Sequence, residues 1–251
     1  MLDVKNVCKS YSKPGSLLGK KRQEVLKDIS FAVKTGECVG LIGESGSGKS
    51  TLGRLILGLE RPDSGEIRIE GAPVSEWKKS HGGEMSVVFQ DYTTSANPRF
   101  TVEEIIAEPL LGGRKSRSVT IDVRELLTKV ELSTTLLGRY LHELSGGQLQ
   151  RVCLARAIST RPRFMVLDES LSSLDVSVQA QILTLLRNLK GELHMTYLFI
   201  AHDLQTITNL CNQVIFLYQG EIAERLPSSR LAFAQNDYAR RLLNSVILFD
   251  G

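Results

Sequence analysis

The chain has 251 residues, of which 42% are hydrophobic and 24% are charged, so it is long enough for one large α/β domain or two small ones around a buried core. Its net charge of +3 is too small to indicate binding to nucleic acid or to an anionic membrane. The four cysteines lack the spacing of a zinc site or an iron–sulfur cluster, and no segment approaches the roughly 18 consecutive apolar residues of a membrane helix, so we expect a cytoplasmic protein that does not span a membrane.

Short apolar runs, typical of strands buried on both faces, recur along the chain. They predict strands at CVGLI, MSVVFQ, FMVLD and TYLFIAH. Cys38 and Cys153 lie in apolar surroundings and are expected to be buried thiols. The segment QVIFLYQGEIAERL predicts a hairpin whose turn is Gln219-Gly220.

Apolar residues at helical spacing separate these strands. They predict helices at STLGRLILGL, TVEEIIAEPL, VRELLTKVEL, VSVQAQILTLLRNLK, DLQTITNLCN and ARRLLNSVI. Thr101 and Glu104 form the pattern of a capping box at the start of the second of these. The alternation predicts a mostly parallel sheet with helices on both faces, interrupted by a helical insert over about residues 91–145.

The stretch GESGSGKST, residues 43–51, lies between a predicted strand and a predicted helix. Gly43, Gly48, Lys49 and Ser50 satisfy the pattern GxxxxGK[ST] of a phosphate-binding loop. Glycines let backbone N–H groups turn toward phosphate oxygens, and the helix N-terminus adds a partial positive charge. We expect Lys49 to reach the β- and γ-phosphates and Ser50 to bind Mg²⁺.

A pair of carboxylates, Asp168 and Glu169, ends the apolar run FMVL. An aspartate at the end of a buried strand commonly holds Mg²⁺ beside such a loop, and the neighbouring Glu169 would act as the general base for the attacking water. A solvated helix-cap carboxylate is the alternative reading of Glu169. The two motifs together are typical of P-loop NTPases, and the absence of a guanine-specifying NKxD counts against a GTPase.

The stretch LSGGQ, residues 144–148, opens another helix. Ser145 can cap that helix, and Gly146-Gly147 leave its first N–H groups uncovered. The chain therefore has a second anion-binding helix N-terminus, although one nucleotide does not need two from a single subunit. This predicts two subunits arranged head to tail, each covering the phosphate loop of the other.

These motifs and their order resemble the ATP-binding subunits of ABC transporters over essentially the whole chain. They run from the phosphate loop through Gln90, LSGGQ, FMVLDE and Ser172-Ser173-Leu174-Asp175 to His202. The resemblance implies the ABC ATPase fold, which has a RecA-like P-loop core with a mostly parallel sheet, an antiparallel β subdomain and a helical insert. It implies one ATP-binding domain, with residues 1–90 and 160–251 as the core and about 91–159 as the helical subdomain.

The resemblance also implies roles for single residues. Gln90 would sense Mg²⁺ and the attacking water, and His202 would contact the γ-phosphate and position water with Glu169. Tyr11 would stack on adenine. An ordinary strand-end tyrosine and a buried structural histidine are the alternatives for Tyr11 and His202. The expected magnesium ligands are Ser50, Gln90 and Asp168. The expected nucleotide-binding residues are Tyr11, Gly43, Glu44, Ser45, Gly46, Ser47, Gly48, Lys49, Ser50, Thr51, Ser145, Gly146, Gly147, Gln148 and Asp175.

Within the family, QDYTTSANPRF and LHELSGGQLQRVCLARAI resemble the peptide/nickel importer branch, and most of all its nickel-import ATP-binding subunits. The resemblance implies two membrane permease subunits, a second and different ATP-binding subunit, and an extracytoplasmic binding protein as an indirect partner. It places the chain on the cytoplasmic face of the membrane, with ATP and Mg²⁺ and without nucleic acid. The tail FAQNDYARRLL leaves peptide and nickel both open as cargo.

Three other classes compete with this interpretation. A soluble ABC-type ATPase acting on nucleic acid or ribosomes usually carries a coiled-coil insert or two sets of motifs, and this chain has neither. A P-loop kinase of a small metabolite would not need LSGGQ. A purely regulatory subunit would not need Lys49, Asp168, Glu169 and His202 together.

Overall fold

The computed structural model describes residues 1–12, 22–89, 95–111, 122–168 and 175–247, with the side chains of 246 and 247 left aside. Within them the strands are β1 (Leu2–Ser12), β2 (Arg22–Val33), β3 (Cys38–Ile42), β4 (Ser64–Ile69), β5 (Ala72–Pro73), β6 (Met85–Val88), β7 (Phe164–Asp168), β8 (Thr196–Ala201), β9 (Gln213–Tyr218) and β10 (Glu221–Pro227). The helices are α1 (Lys49–Ile56), α2 (Val74–Ser80), α3 (Val102–Leu111), α4 (Val123–Lys129), α5 (Gly146–Ile158), α6 (Val176–Glu192), α7 (Leu204–Leu210) and α8 (Asp237–Ile247). Short 3₁₀ turns lie at Thr134–Leu136, Leu141–Glu143 and Ser228–Phe233. The chain divides into two units, residues 1–77 with 198–251 and residues 78–197.

The first unit contains an antiparallel sheet in the order β2-β1-β4-β5. Leu2 pairs with Val33 and Val4 with Phe31 across the first two strands, and all four side chains are buried. Buried and exposed residues alternate along β2 from Ile29 onward, as expected of a sheet with one solvated face.

A second group of strands in the first unit has the order β10-β9-β3-β8. Every residue of β3 is buried, and β3 pairs in parallel with β9. Burial of both faces explains the continuous apolar run CVGLI, because a strand covered on both faces has no solvated side chains. The predicted hairpin is confirmed: β9 and β10 are antiparallel around Gln219-Gly220, both with positive φ.

The second unit is built mainly of helices, as predicted, with β6 and β7 paired in parallel. Helix α5 is buried almost all round and packs on α3. The capping box that opens α3 is confirmed, since the Thr101 N–H donates to Glu104 Oε2 at 2.8 Å and the Glu104 N–H donates to Thr101 Oγ1 at 3.4 Å. Arg151, 8% exposed, donates to the Val130 carbonyl at 2.9 Å and fixes the body of α5.

The cysteines behave as expected of thiols in a packed interior. Cys38 and Cys153 are buried, and burial raises the pKa of the Cys153 thiol to about 11. The Sγ atoms of Cys38 and Cys211 lie 3.2 Å apart as free thiols. Among the described residues, no helix combines the length and apolar character needed to cross a bilayer.

One helix is absent from the sequence predictions. Helix α2 has only seven residues and a single buried side chain, Trp77, so its sequence shows no helical period. Trp77 is 1% exposed and its Nε1–H donates to Glu70 Oε2 at 3.3 Å. A tertiary anchor of this kind stabilises a helix too short to form on intrinsic preference.

Gly65 and Gly71 allow a matched test of this packing, since both have φ +81°. A Cβ at Gly65 would lie 2.2 Å from the Asn6 carbonyl oxygen, whereas a Cβ at Gly71 would meet no atom within 4 Å. We expect Gly71→Ala to cost about 1–2 kcal/mol of folding free energy through the left-handed backbone alone. Gly65→Ala should cost about 2 kcal/mol more, because β1 and β4 must move apart.

Denaturant unfolding of both variants measures the difference. Equal losses in the two variants would contradict the close approach of β4 to the Asn6 carbonyl.

Candidate functional site

The glycine-rich loop lies directly between β3 and α1, as predicted. Gly48 is the N-cap of α1, with φ 109°, in a region that L side chains rarely adopt. A Cβ there would lie 2.7 Å from Leu26 Cδ2 and 2.9 Å from the Val25 carbonyl oxygen. Gly46 has φ +81° and is exposed, with no atom within 4 Å of where a Cβ would stand. The loop is therefore packed at one end and open at its tip, where a ligand can approach the backbone.

The hairpin of β9 and β10 packs directly against the loop. A Cβ at Gly43 would lie 2.2 Å from the Leu217 carbonyl oxygen, so β9 leaves no room for a side chain there. The Gly220 N–H donates to the Ser47 carbonyl at 3.2 Å. The Ser47 hydroxyl is buried on the same side of the loop, 2.7 Å from where a Cβ at Gly43 would stand, and has no hydrogen-bond partner among the described residues.

Lys49 is buried, with 5% of its surface exposed. Its Nζ donates to the carbonyl oxygens of Gly43 at 2.7 Å and Glu44 at 3.0 Å. The ammonium thus rests on its own loop, at the N-terminus of α1, where the helix dipole already favours an anion. Ser50 is half-buried in the first turn of the same helix. The chemistry of this region suits a phosphate group.

A polar network connects Tyr11 to the last residue of the loop. The Tyr11 hydroxyl donates to Glu60 Oε2 at 2.5 Å, and Arg54 Nε donates to Glu60 Oε1 at 2.6 Å. Arg54 Nη2 also donates to Thr51 Oγ1 at 3.2 Å. The hydrogen bond from Tyr11, followed by pairing with Arg54, lowers the pKa of Glu60 although partial burial opposes the shift. The Lys9 ammonium lies 5.3 Å from the centroid of the Tyr11 ring.

Arg54 and Glu60 carry no sequence signal of their own. Arg54 lies one turn after Thr51 on α1, but Glu60 is 49 residues from Tyr11, and such a pairing requires the folded chain. The network holds the Tyr11 hydroxyl in one orientation.

His202 follows Ala201, the last residue of β8, which is the neighbour of β3 in the first unit. Its side chain is exposed, which argues against the buried structural alternative. The next residue, Asp203, caps α7 by accepting from the N–H groups of Gln205 at 3.1 Å and Thr206 at 3.0 Å. This cap fixes the backbone immediately after His202.

In the second unit, Asp168 ends β7, and its Oδ1 is buried. Glu169 and Gln90, the expected general base and sensor, lie outside the described residues. Asp175 is exposed and precedes α6 at its N-cap position, although its side chain makes no cap hydrogen bond.

The LSGGQ segment opens α5 as predicted. Ser145 Oγ accepts from the Gln148 N–H at 3.3 Å, and Gln148 Oε1 accepts from the Ser145 N–H at 3.0 Å, which completes a capping box. The N–H groups of Gly146 and Gly147 belong to the first helical turn and have no intrahelical acceptor. A Cβ at Gly147 would lie 2.9 Å from Val178 Cγ1 of α6. The helix start is therefore held in place with two amides directed outward.

The model of the ABC transporter family matches residues 26–172, more than half of the chain. The chain belongs to the ABC transporter family.

This ABC protein is 40% identical to the metal-staphylopine import system ATP-binding protein CntF of Staphylococcus aureus, over 99% of this chain and 100% of the relative. It is 38% identical to the nickel import ATP-binding protein NikE of Escherichia coli, over 98% of this chain and 94% of the relative. It is 41% identical to a putative peptide import ATP-binding protein of Brucella ovis, over 98% of this chain and 78% of the relative. The ABC protein is thus an ATP-binding importer subunit of the branch that includes these proteins, and its ATP hydrolysis is coupled to transport.

The dimeric structure of a post-hydrolysis state of the ATP-binding cassette MJ0796 bound to ADP and Pi has a TM-score of 0.77 to this ABC protein. The two are 30% identical over 91% of this chain and 99% of that chain. The predicted ABC ATPase fold is confirmed, with parallel and antiparallel strands and several helices in the described residues.

The Tyr11 network predicts an acid-sensitive contribution to stability. A carboxyl whose pKa is lowered in the folded state adds stability above its unfolded pKa and loses that contribution as pH falls through the folded value. Tyr11→Phe removes the largest cause of the shift in Glu60. We expect this variant to lose about 1 kcal/mol at neutral pH. Its further loss of stability on acidification should be smaller than in the wild type and complete at a higher pH, because the folded pKa of Glu60 moves back toward the unfolded value.

Denaturant unfolding at a series of pH values, from neutral into the acid range, tests this expectation. Tyr218→Phe is the control, because the Tyr218 hydroxyl accepts from Gln219 Nε2 and contacts no carboxylate in the described network. Identical pH profiles for Tyr11→Phe and the wild type would show that Tyr11 does not set the pKa of Glu60.

Proposed function

We propose that the chain is the ATP-binding subunit of a nickel importer and hydrolyses ATP at an interface between two such subunits. The observation that carries the two-subunit site is the start of α5. Ser145, Gly146 and Gly147 form an ordered helix N-terminus with amides directed outward, in a chain that already has a complete phosphate loop. A chain with one loop and one separate anion-binding helix start suits pairing with a second subunit.

In this proposal the phosphate loop binds ATP through its backbone and through Lys49. The open space at Gly46 supports this role. Lys49 exchanges the carbonyl oxygens of Gly43 and Glu44 for the β- and γ-phosphate oxygens. Tyr11 stacks on adenine, with its hydroxyl held by Glu60. The remaining contacts come from Glu44, Ser45, Gly48, Ser50 and Thr51.

The hydrolytic roles rest on the order of the motifs. Ser50, Gln90 and Asp168 hold Mg²⁺, whose preference for hydroxyl, amide and carboxylate oxygens suits this donor set. The ion supplies charge neutralisation to the phosphates when it is bound. Glu169 takes the proton of the attacking water, and His202 contacts the γ-phosphate and orients that water. The exposed position of His202 after β8 leaves it accessible for this role.

The α5 start completes the site of the other subunit. Ser145 Oγ accepts within its capping box and can still donate its own proton to a phosphate oxygen. The N–H groups of Gly146 and Gly147 donate beside it, while the Gln148 side chain holds the box closed. Asp175 belongs to the segment that crosses the subunit interface.

Transport follows from ATP binding in this proposal. ATP favours the closed pair of subunits because it contacts the loop of one and the α5 start of the other, and a ligand shifts an equilibrium only by its differential affinity for the two states. Closure moves the helical subdomain, and the surface near Gln90 pushes on the permease. Hydrolysis through Glu169 releases the pair.

The proposed partners are two permease subunits, a second and different ATP-binding subunit, and indirectly an extracytoplasmic binding protein. The chain lies peripherally on the cytoplasmic face of the membrane and does not act on nucleic acid. It forms one ABC ATP-binding domain, with residues 1–90 and 160–251 as the core and about 91–159 as the helical subdomain.

Nickel is the proposed cargo because QDYTTSANPRF and LHELSGGQLQRVCLARAI resemble nickel-import subunits, and relatives named for nickel and for metal-staphylopine import match nearly the whole chain. Peptide import is the second candidate, favoured by the putative peptide import relative of Brucella ovis. The ATP-binding subunit does not contact cargo, so an uptake measurement is needed to distinguish nickel from peptide.

Glu169→Gln tests the general base. The amide cannot accept the proton of the attacking water, so we expect ATP hydrolysis to fall by about 10²-fold or more while ATP binding persists. The variant should accumulate as an ATP-bound dimer, measured by size-exclusion chromatography with light scattering. Glu125→Gln, the same substitution at an exposed carboxylate of α4, is the matched control. Hydrolysis at the wild-type rate in Glu169→Gln would remove Glu169 from the role of base.

Uptake by cells that natively make the protein tests the cargo. Labelled nickel at limiting concentration and a labelled dipeptide are offered separately to wild-type and Glu169→Gln cells. We expect loss of nickel uptake alone. Loss of dipeptide uptake alone would establish the peptide alternative, and unchanged uptake of both would contradict both cargoes.

A further inference from the structure

The start of α8 is fixed by an ordered set of backbone hydrogen bonds. The Glu224 carboxylate on β10 accepts from the N–H groups of Gln235 at 2.9 Å and Asn236 at 2.9 Å. Asn236 Oδ1 then accepts from the Tyr238 N–H at 2.9 Å, which caps the first turn of the helix. The segment that carries Tyr238 is thereby tied to the β9–β10 hairpin.

Tyr238 is buried, with 4% of its surface exposed, in the first turn of a helix that also exposes residues such as Asp237, Arg240 and Arg241. Its ring stacks on Tyr218, the last residue of β9, with centroids 4.3 Å apart. Burial raises the pKa of Tyr238, so its hydroxyl stays protonated through the neutral range. The ring and hydroxyl are therefore held in one position.

The Tyr238 hydroxyl oxygen accepts from the Glu44 N–H at 2.9 Å. Glu44 is the second residue of the phosphate loop, and its N–H belongs to the same planar peptide as the Gly43 carbonyl. That carbonyl accepts from Lys49 Nζ at 2.7 Å. One peptide unit is thus held on both sides, by Tyr238 at its N–H and by Lys49 at its oxygen.

The orientation of the Gly43–Glu44 peptide therefore determines whether the Lys49 ammonium meets a hydrogen-bond acceptor. If the peptide turned over, the ammonium would meet an N–H instead of an oxygen acceptor, and the two positive ends would repel. When Lys49 moves to a phosphate, its hydrogen bond to the Gly43 carbonyl is lost. The bond to Tyr238 then remains to keep the first turn of the loop in the conformation that β9 accommodates.

We propose that Tyr238 is a positioning residue for nucleotide binding, through which the C-terminal helix α8 holds the phosphate loop in its ATP-accepting conformation. This inference rests on the proposed role of the loop. The residue contacts the loop and not the reacting atoms, so it acts on the binding of ATP rather than on the cleavage step. No sequence motif indicates it, because 194 residues separate Tyr238 from Glu44.

Tyr238→Phe is the informative variant, because it keeps the ring and its stack on Tyr218 and removes only the hydroxyl. Tyr218→Phe is the matched control, because it removes the other hydroxyl of the stacked pair, which accepts from Gln219 Nε2 at 3.0 Å. The full chain is purified, and three quantities are measured: the dissociation constant of a fluorescent ATP analogue, KM and kcat for ATP hydrolysis, and the thermal unfolding midpoint.

We expect Tyr238→Phe to raise the dissociation constant and KM about fivefold, which corresponds to about 1 kcal/mol. The value of kcat should change less than about twofold, because the hydroxyl makes no contact that forms only in the transition state. Tyr218→Phe should bind ATP as the wild type does. A merely structural role would lower the unfolding midpoint without separating KM from kcat.

Unchanged ATP affinity in Tyr238→Phe would overturn the inference, as would an equal loss in the two variants. Lys49→Ala, measured in parallel, separates this failure from a failure of the proposed function. If Lys49→Ala binds ATP normally, the loop assignment itself is wrong. If Lys49→Ala loses binding and Tyr238→Phe does not, only the role of Tyr238 is wrong.

Discussion

A phosphate loop can direct its backbone N–H groups outward only if the surrounding chain holds it in conformations that glycine alone adopts readily. In this protein, that support comes from two directions. Val25 and Leu26 of β2 close the space beside Gly48, and the carbonyl of Leu217 closes the space beside Gly43. The glycines are therefore required by the packing around the loop as much as by the phosphate, and the antiparallel sheet and the β9–β10 hairpin both serve the geometry of the site.

The start of α5 is also held in place by surrounding residues, but through different contacts. Ser145 and Gln148 cap each other, and α6 packs so closely that a side chain at Gly147 would meet Val178. The buried Arg151 holds the body of the helix through the carbonyl of Val130. Both helix starts are thus held in place by the protein itself, which would lower the ordering cost of binding a ligand there.

Features set by neighbouring residues could be predicted from the sequence. The capping box of Thr101 and Glu104, the turn at Gln219-Gly220 and the loop between β3 and α1 all depend on residues a few positions apart. The bond from Tyr11 to Glu60 and the bond from Glu44 to Tyr238 could not be predicted, because each joins distant segments. Helix α2 was missed because Trp77 anchors it by tertiary contact.

The residues that support the phosphate loop are synthesised much later than the loop itself. Residues 43–51 leave the ribosome early. Leu217, which packs against Gly43, and Gly220, whose N–H donates to the Ser47 carbonyl, are made near the end of the described chain. Strand β3 likewise cannot pair with β9, its parallel neighbour, until β9 has been synthesised. A nascent chain therefore carries the sequence of the phosphate loop before the residues that hold the loop in its folded shape have been made.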